Sequence, residues 1–198
     1  VKATIAETEN YNGATAIAGF EIKKANQTAL SIKNVTAKKY GDVDFTLETT
    51  GGSGNGAVSY SVPIGNGILE IHGNTATIIG VGKVTITAQK AADNNYNETS
   101  TEREITIAKG DAPAITFPAA SGLTYGQKLS DSTLNGGSTQ YGSFAWADGN
   151  IIPTADNTGY EVVFTPNEAT KKNYDISEQR QKVAVNVDRQ QQTGFAIK

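Results

Sequence analysis

One histidine, no cysteine and no methionine occur in these 198 residues, and that inventory removes most catalytic and metal chemistry at once. Without cysteine there is no thiolate nucleophile, no sulfur-ligated metal and no disulfide. A Ser-His-Asp triad would have to use His72, which stands beside Gly73-Asn74 with no nucleophile-elbow pattern near it. His72 therefore reads as a solvent-exposed turn residue. Gly82-Lys83-Val84 looks like the end of a phosphate loop, but Thr77 and Val84 occupy the places where that motif needs Gly and Ser/Thr. The run Gly51-Gly52-Ser53-Gly54-Asn55-Gly56 has neither the phosphate-loop spacing nor a following helix and reads as a flexible inter-strand loop. Asp42 with Asp44, and Asp93 with Asn94 and Asn95, offer oxygen ligands but not the order of a calcium loop, so Asx turns explain them more simply. No pair among the twenty acidic residues can be placed at glycosidase separation. The expectation is a chain with no catalytic residues, no cofactor and no metal.

Two aromatic features remain as binding chemistry. Trp146, the only tryptophan, lies with Tyr141 and Phe144 in a stretch that reads as a strand, with Phe144 and Trp146 on one face and Tyr141 on the other. Such a tryptophan is usually core; exposed beside Tyr141 it would instead offer a stacking platform for a sugar ring. The second feature recurs. Asn10-Tyr11 is repeated as Asn95-Tyr96, an offset of 85, and again as Asn173-Tyr174, while Tyr40-Gly41 is repeated as Tyr125-Gly126, also at 85. Recurrence favours structure over ligand binding: Tyr11, Tyr96 and Tyr174 are expected to anchor a crossing loop, much as a tyrosine corner does.

The elements that would position these residues are strands. Val84, Ile86 and Ala88 alternate with Thr85, Thr87 and Gln89, and Tyr160, Val162 and Phe164 alternate likewise. Each Asn-Tyr pair follows such a stretch (residues 1–6, 84–89 and 160–165), and a β-branched residue stands eleven positions after each tyrosine: Ile22, Ile107 and Val185. Gly73-Asn74 marks a tight hairpin, and Gly65-Asn66-Gly67 and Asp148-Gly149 mark further turns. Turn signals at short intervals, with no helix-period segment of useful length, predict an all-β chain of antiparallel sandwiches.

Three divisions follow. Residues 1–29 read as the C-terminal strands of a preceding, incomplete repeat, with strands near Val1 to Ala6 and Ala18 to Ala25 that must borrow a sheet. Residues 30–111 and 112–198 each read as a full sandwich, and the short stretch between Ile107 and Ile115, containing Pro113, predicts little slack between them. The missing methionine at position 1 fits a fragment or processed product.

The stretch LEIHGNTATIIGVGKVTITA at residues 69–88 resembles the bacterial immunoglobulin-like repeats of surface proteins. The Tyr-Gly pairs, AADNNY at 91–96 and FTPNEATKKNY at 164–174 are similar to the Tyr-Gly type of such repeats. The resemblance covers most of the chain and implies tandem immunoglobulin-like β-sandwiches, used as a stalk or adhesive module on a bacterial surface or secreted protein. It brings no catalytic residues. FAWADGNIIP replaces the glycine bend in residues 112–198, which makes that part a divergent subtype. A carbohydrate- or mucin-binding module, or an accessory domain of a secreted hydrolase, is the alternative.

Seventeen basic against twenty acidic residues give a net charge of -3 without a basic stripe, which argues against nucleic-acid binding. No apolar run approaches the length of a membrane span. The expected partners are neighbouring repeats of the same polypeptide and a host or wall glycan or protein. Cysteine-free surface sandwiches can carry a Lys-Asn isopeptide bond, for which Lys128 and Asn186 are the candidates here.

Overall fold

The computed structural model describes residues 1–191 and 194, which are all-β apart from one short α-helix and a 3-10 turn at Leu129–Asp131. The N-terminal segment holds the hairpin β1 (Lys2–Ile5) and β2 (Ala14–Ile17). The middle segment holds β3 (Leu30–Ile32), β4 (Lys38–Lys39), β5 (Phe45–Thr46), β6 (Thr49–Gly51), β7 (Val58–Ser61), β8 (Leu69–His72), β9 (Thr75–Ile78), β10 (Gly82–Lys90) and β11 (Thr99–Ala108). The C-terminal segment holds β12 (Ala119–Ala120), β13 (Leu123–Thr124), β14 (Leu134–Asn135), β15 (Gly142–Trp146), β16 (Tyr160–Pro166), α1 (Glu168–Asn173), β17 (Gln179–Val183) and β18 (Val187–Asp188).

In the middle segment the long hairpin β10–β11 is the spine. Its β-branched residues suit a pleated, half-buried surface, and the pleat turns Val84, Ile86 and Ala88 inward to full burial. It lies within the order β4-β11-β10-β7, where β4 runs parallel to β11 and the other pairs are antiparallel. The facing layer runs β3, then β6 and β5, then β9 and β8. β5 and β6 act as one bent strand, because Leu47 between them donates its N–H to Asn74 O (2.7 Å) and Lys33 donates to Glu48 O (2.8 Å). Leu30, Ile32, Leu47, Leu69 and Ala76 of this layer meet Val84, Ile86, Ala88 and Ile107 of the other in one core. At the β8–β9 turn only Gly73 takes positive φ (64°), as a two-residue loop with glycine first requires.

The C-terminal segment is sparser. β15-β16-β17 form one sheet, β12 pairs with β14, and β13 runs parallel to β18. No strand lies between β15 and β16, a stretch that forms turns. Leu123, Leu129, Val185 and Val187 form its core with Trp146 and Tyr160, while Phe144 is wedged between Phe117 (5.3 Å) and Phe164 (5.1 Å).

Four sequence expectations need correction. The second N-terminal strand is residues 14–17 rather than Ala18 to Ala25, because Lys2 pairs with Ile17, Val1 exchanges hydrogen bonds with Ala18, and residues 19–24 are left without a ladder partner. Ile115 lies in no strand; the stretch holding it is pinned where Thr116 exchanges hydrogen bonds with Ser138. Residue Val187, not Val185, is the counterpart of Ile107, since Leu123↔Val187 repeats the parallel pairing Lys38↔Ile107. Finally, EATKKN forms α1, capped by Asn167 Oδ1 accepting from Thr170 N (2.8 Å).

Ile86 touches both layers and is fully buried, so Ile86→Ala should cost the middle segment about 2–5 kcal/mol. Ile64→Ala, at a fully exposed loop position, should stay within about 0.5 kcal/mol of the parent. Denaturant unfolding followed by circular dichroism measures both.

Candidate functional site

The recurring tyrosines lead to the best-built feature of the surface. In the turn 39–42, Asp42 N–H donates to Lys39 O (3.1 Å), Lys39 N–H donates to Asp42 Oδ2 (2.9 Å) and Gly41 has φ 91°. In the turn 124–127, Gln127 N–H donates to Thr124 O (3.0 Å), Thr124 N–H donates to Gln127 Oε1 (2.7 Å) and Gly126 has φ 101°. The glycine is needed because the third residue of such a turn has positive φ. Tyr40 N–H then donates to Ala108 O and Tyr125 N–H to Asp188 O, each onto the strand that closes its own segment. The two Tyr-Gly turns occupy the same place.

The Asn-Tyr loops also match. Thr8 N–H donates to Tyr11 O (2.9 Å), and Asp93 N–H donates to Tyr96 O (3.1 Å). A small residue from the preceding stretch of chain then docks in parallel against the second and third tyrosines. Ala25 N–H donates to Asn95 O and Ala25 O accepts from Asn97 N–H. Gly110 N–H donates to Asn173 O (2.9 Å) and Gly110 O accepts from Asp175 N–H (3.1 Å).

At Gly110 the two kinds of turn meet. Tyr40 and Tyr174 pack edge to face at 5.2 Å, and Tyr141 packs on the same ring at 6.0 Å. Gly110 is buried between them, and a Cβ on it would overlap Tyr40 O and lie 3.2 Å from Tyr174 Cδ1. Lys39 pairs with Asp111, and Lys109 Nζ donates to Lys171 O (2.7 Å) at the end of α1. These exposed polar contacts add little energy; the aromatic contacts and the threaded glycine define the joint. Its desolvation raises the Tyr174 hydroxyl pKa, and the neighbouring Tyr40 and Tyr141 push it the same way. Tyr125 is 51% exposed and Tyr11 79% exposed.

The remaining candidates fall elsewhere. Trp146 and Tyr141 are not brought together: β15 starts at Gly142, Tyr141 turns to the joint, and Trp146 packs half-buried on the Leu129–Val185–Val187 cluster, its Nε1 buried without a hydrogen-bond partner. His72 is exposed at the end of β8. Lys83 pairs with Glu104 across the β10–β11 ladder. Lys128 Nζ donates to Asn150 Oδ1 (3.3 Å) while the Asn186 amide faces Asp188, so each of the isopeptide candidates has another partner. Among the described residues, no three His, Asp or Glu side chains are grouped to hold a metal ion, and no helix is long and apolar enough to cross a membrane.

Asp93 makes the Asx turn expected from its sequence and adds a tie to Asn55 that sequence reasoning missed. Its Oδ1 accepts from Asn95 N–H (2.8 Å) and Tyr96 N–H (2.9 Å), and its Oδ2 accepts from Asn55 N–H (2.9 Å). The glycine-rich run is thereby fastened to the Asn-Tyr loop, and Gln27 secures it further by accepting from Ser53 N–H and donating to Ala91 O and Asn97 O. The turn was legible in Asp93-Asn94-Asn95, whereas the contact with Asn55, 38 residues away, carries no local signal.

The backbone N–H of Asn95, then that of Asn55, holds the Asp93 carboxyl below its ordinary value. A depressed carboxyl contributes stability above its unfolded value and loses it as pH falls through the folded one. Amide chemical shifts of Asn55, Asn95 and Tyr96 should therefore move together on acidification below about pH 4, and in Asp93→Ala they should stand at the acid position at neutral pH. At the joint, Gly110→Val should speed hydrogen exchange of the Asp175 amide while leaving the β16–β17 amides unchanged. Equal exchange at Asp175 would show that the threaded glycine does not hold the joint.

No protein-family model and no curated protein matches this sequence.

Proposed function

We propose that the chain is a non-catalytic run of immunoglobulin-like modules, serving as a structural stalk or adhesive part of a bacterial cell-surface protein. Strand order supports the module type. Naming β3, β5/β6, β9 and β8 as A, B, E and D, and β7, β10 and β11 as C, F and G, yields sheets A-B-E-D and C-F-G. β4 then extends the second sheet by pairing parallel to G. In the C-terminal segment the second strand again pairs parallel with the last, and no counterparts of β8 and β9 occur among the described residues, in keeping with a divergent subtype. The bacterial surface setting rests on the resemblance of residues 69–88 and on the Tyr-Gly and Asn-Tyr spacing.

The observation that carries the stalk reading is the joint at Gly110. One residue of linker is hydrogen-bonded on both sides to the following segment while its neighbours Tyr40 and Tyr174 are in ring contact. Such a link holds consecutive modules with little freedom to hinge, which suits a part whose work is length and presentation. The half-buried Trp146 offers less support to sugar binding.

With the β10–β11 ladder nine residue pairs long at about 3.3 Å each, plus loops, a module is about 35–40 Å long and two in line span about 70–80 Å. Small-angle scattering of the monomer should return a maximum dimension in that range or longer. A value near about 50 Å, the signature of modules folded back on one another, would sink the stalk reading.

A further inference from the structure

The N-terminal hairpin has the register of β10–β11 in miniature. Its pairs Lys2↔Ile17, Ala3↔Ala16, Thr4↔Thr15 and Ile5↔Ala14 become Thr87↔Glu102, Ala88↔Thr101, Gln89↔Ser100 and Lys90↔Thr99 on adding 85 to each number. The same shift carries Tyr11 onto Tyr96, with its loop hydrogen bond intact, and Val1, Phe20 and Ile22 onto Ile86, Ile105 and Ile107. In the middle segment Ile86, Ala88 and Ile107 are fully buried and Ile105 packs against their core. In the N-terminal segment Val1, Phe20 and Ile22 are 77%, 71% and 84% exposed, and no residue from 1 to 26 is covered.

The middle segment also shows what covers such a face. Leu30, Ile32, Leu47, Leu69 and Ala76 lie on it, Ala25 bridges to Tyr96, and Gln27 donates to the carbonyls of Ala91 and Asn97. The shift of 85 places Ala6, Tyr11 and Asn12 at the positions of Ala91, Tyr96 and Asn97. Ile86, Ala88, Ala91, Tyr96, Asn97, Ile105 and Ile107, which receive the opening half of the middle segment, therefore each have a counterpart in residues 1–25, whereas Val84 has none there and Ala18 and Thr8 stand in place of Arg103 and Asp93. Only Ile17, matching the outward Glu102, lies off the receptive face.

We propose that residues 1–25 are the docking face for the opening half of another repeat of this kind, a polypeptide with the strands β3 to β9 and a small residue equivalent to Ala25 that bridges to Tyr11. This rests on the repeat-module reading above, but not on the stalk reading. The face is apolar on Val1, Ala3, Phe20 and Ile22. Ala18 already exchanges two hydrogen bonds with Val1, and the strand partners that residues 19–22 lack are the counterparts of Gly82–Thr85, which such a polypeptide carries just after β9. Docking completes the ladder and buries the apolar face in the same event.

The test joins a copy of residues 25–85 directly ahead of Val1 in the full chain, which continues the 85-residue spacing without a break. Hydrogen exchange is then followed at the amides of residues 1–25. In the chain as it stands these should exchange far faster than those of β10–β11. In the extended chain they should slow to the β10–β11 level, and Ile22→Asp in the extended chain should abolish that protection while leaving the middle segment unchanged. The proposal is overturned if residues 1–25 exchange equally fast in both chains while β10–β11 stays protected, or if they are already as slow as β10–β11 without the extension. A short maximum dimension in scattering would remove the stalk reading alone, so the two failures are distinguishable.

Discussion

A two-stranded ladder satisfies the backbone along one shared edge and buries nothing on its faces. The rest of this protein answers that constraint. β10–β11 is its longest ladder, nine residue pairs, and the inward side chains of β10 must lose their water to repay the ordering of the strands. β3, β5/β6, β9 and β8 supply the opposing surface, β4 and β7 occupy the flanking edges, and the many glycine turns let so much short strand be folded over one hairpin. Where the cover is present, Ile86 and Ala88 are dry. Where it is missing, over β1–β2, the same register leaves Val1 and Phe20 in solvent.

The joint at Gly110 applies the same economy between segments. A linker that ran free would leave its own peptide groups to water and leave the aromatic rings at both faces uncovered. Instead one glycine contributes both its N–H and its C=O to the Asn173–Asp175 backbone, and its missing side chain makes room for Tyr40 against Tyr174. Tyr40 and Tyr174 each belong to a loop of their own segment and also form the contact between segments.

What was legible in the sequence was periodic or repeated. The alternation through Val84, Ile86 and Ala88 announced β10, Gly73-Asn74 announced the β8–β9 hairpin, and the recurring Tyr-Gly and Asn-Tyr pairs brought out Tyr40 and Tyr174, which meet at the joint. What was not legible depended on which strand pairs with which. AGFEIKKA looks more strand-like than ATAI, yet register with Lys2 selects ATAI. The two residues by which Val187 displaces Val185 follow from a longer closing stretch after Tyr174, where β17 and β18 are separate strands. Trp146 and Tyr141 read as opposite faces of one strand, but β15 begins at Gly142, whose added Cβ would overlap Thr165 O, and Tyr141 sits in the turn before it. Pairing of this kind is decided by contacts distant in sequence, which periodicity does not record.

The parallel pairing of β4 with β11, and of β13 with β18, sets how these segments meet a pull. When a strand near the start of a segment runs parallel to its last strand, the chain enters at one end and leaves at the other. Tension between those ends slides the paired strands along each other. Their hydrogen bonds are then loaded in shear and share the force, whereas a hairpin opened from its tip would lose them one at a time. The two pairings are short, two residue pairs each, so the mechanical clamp is small, but it stands directly in the line of force in both segments.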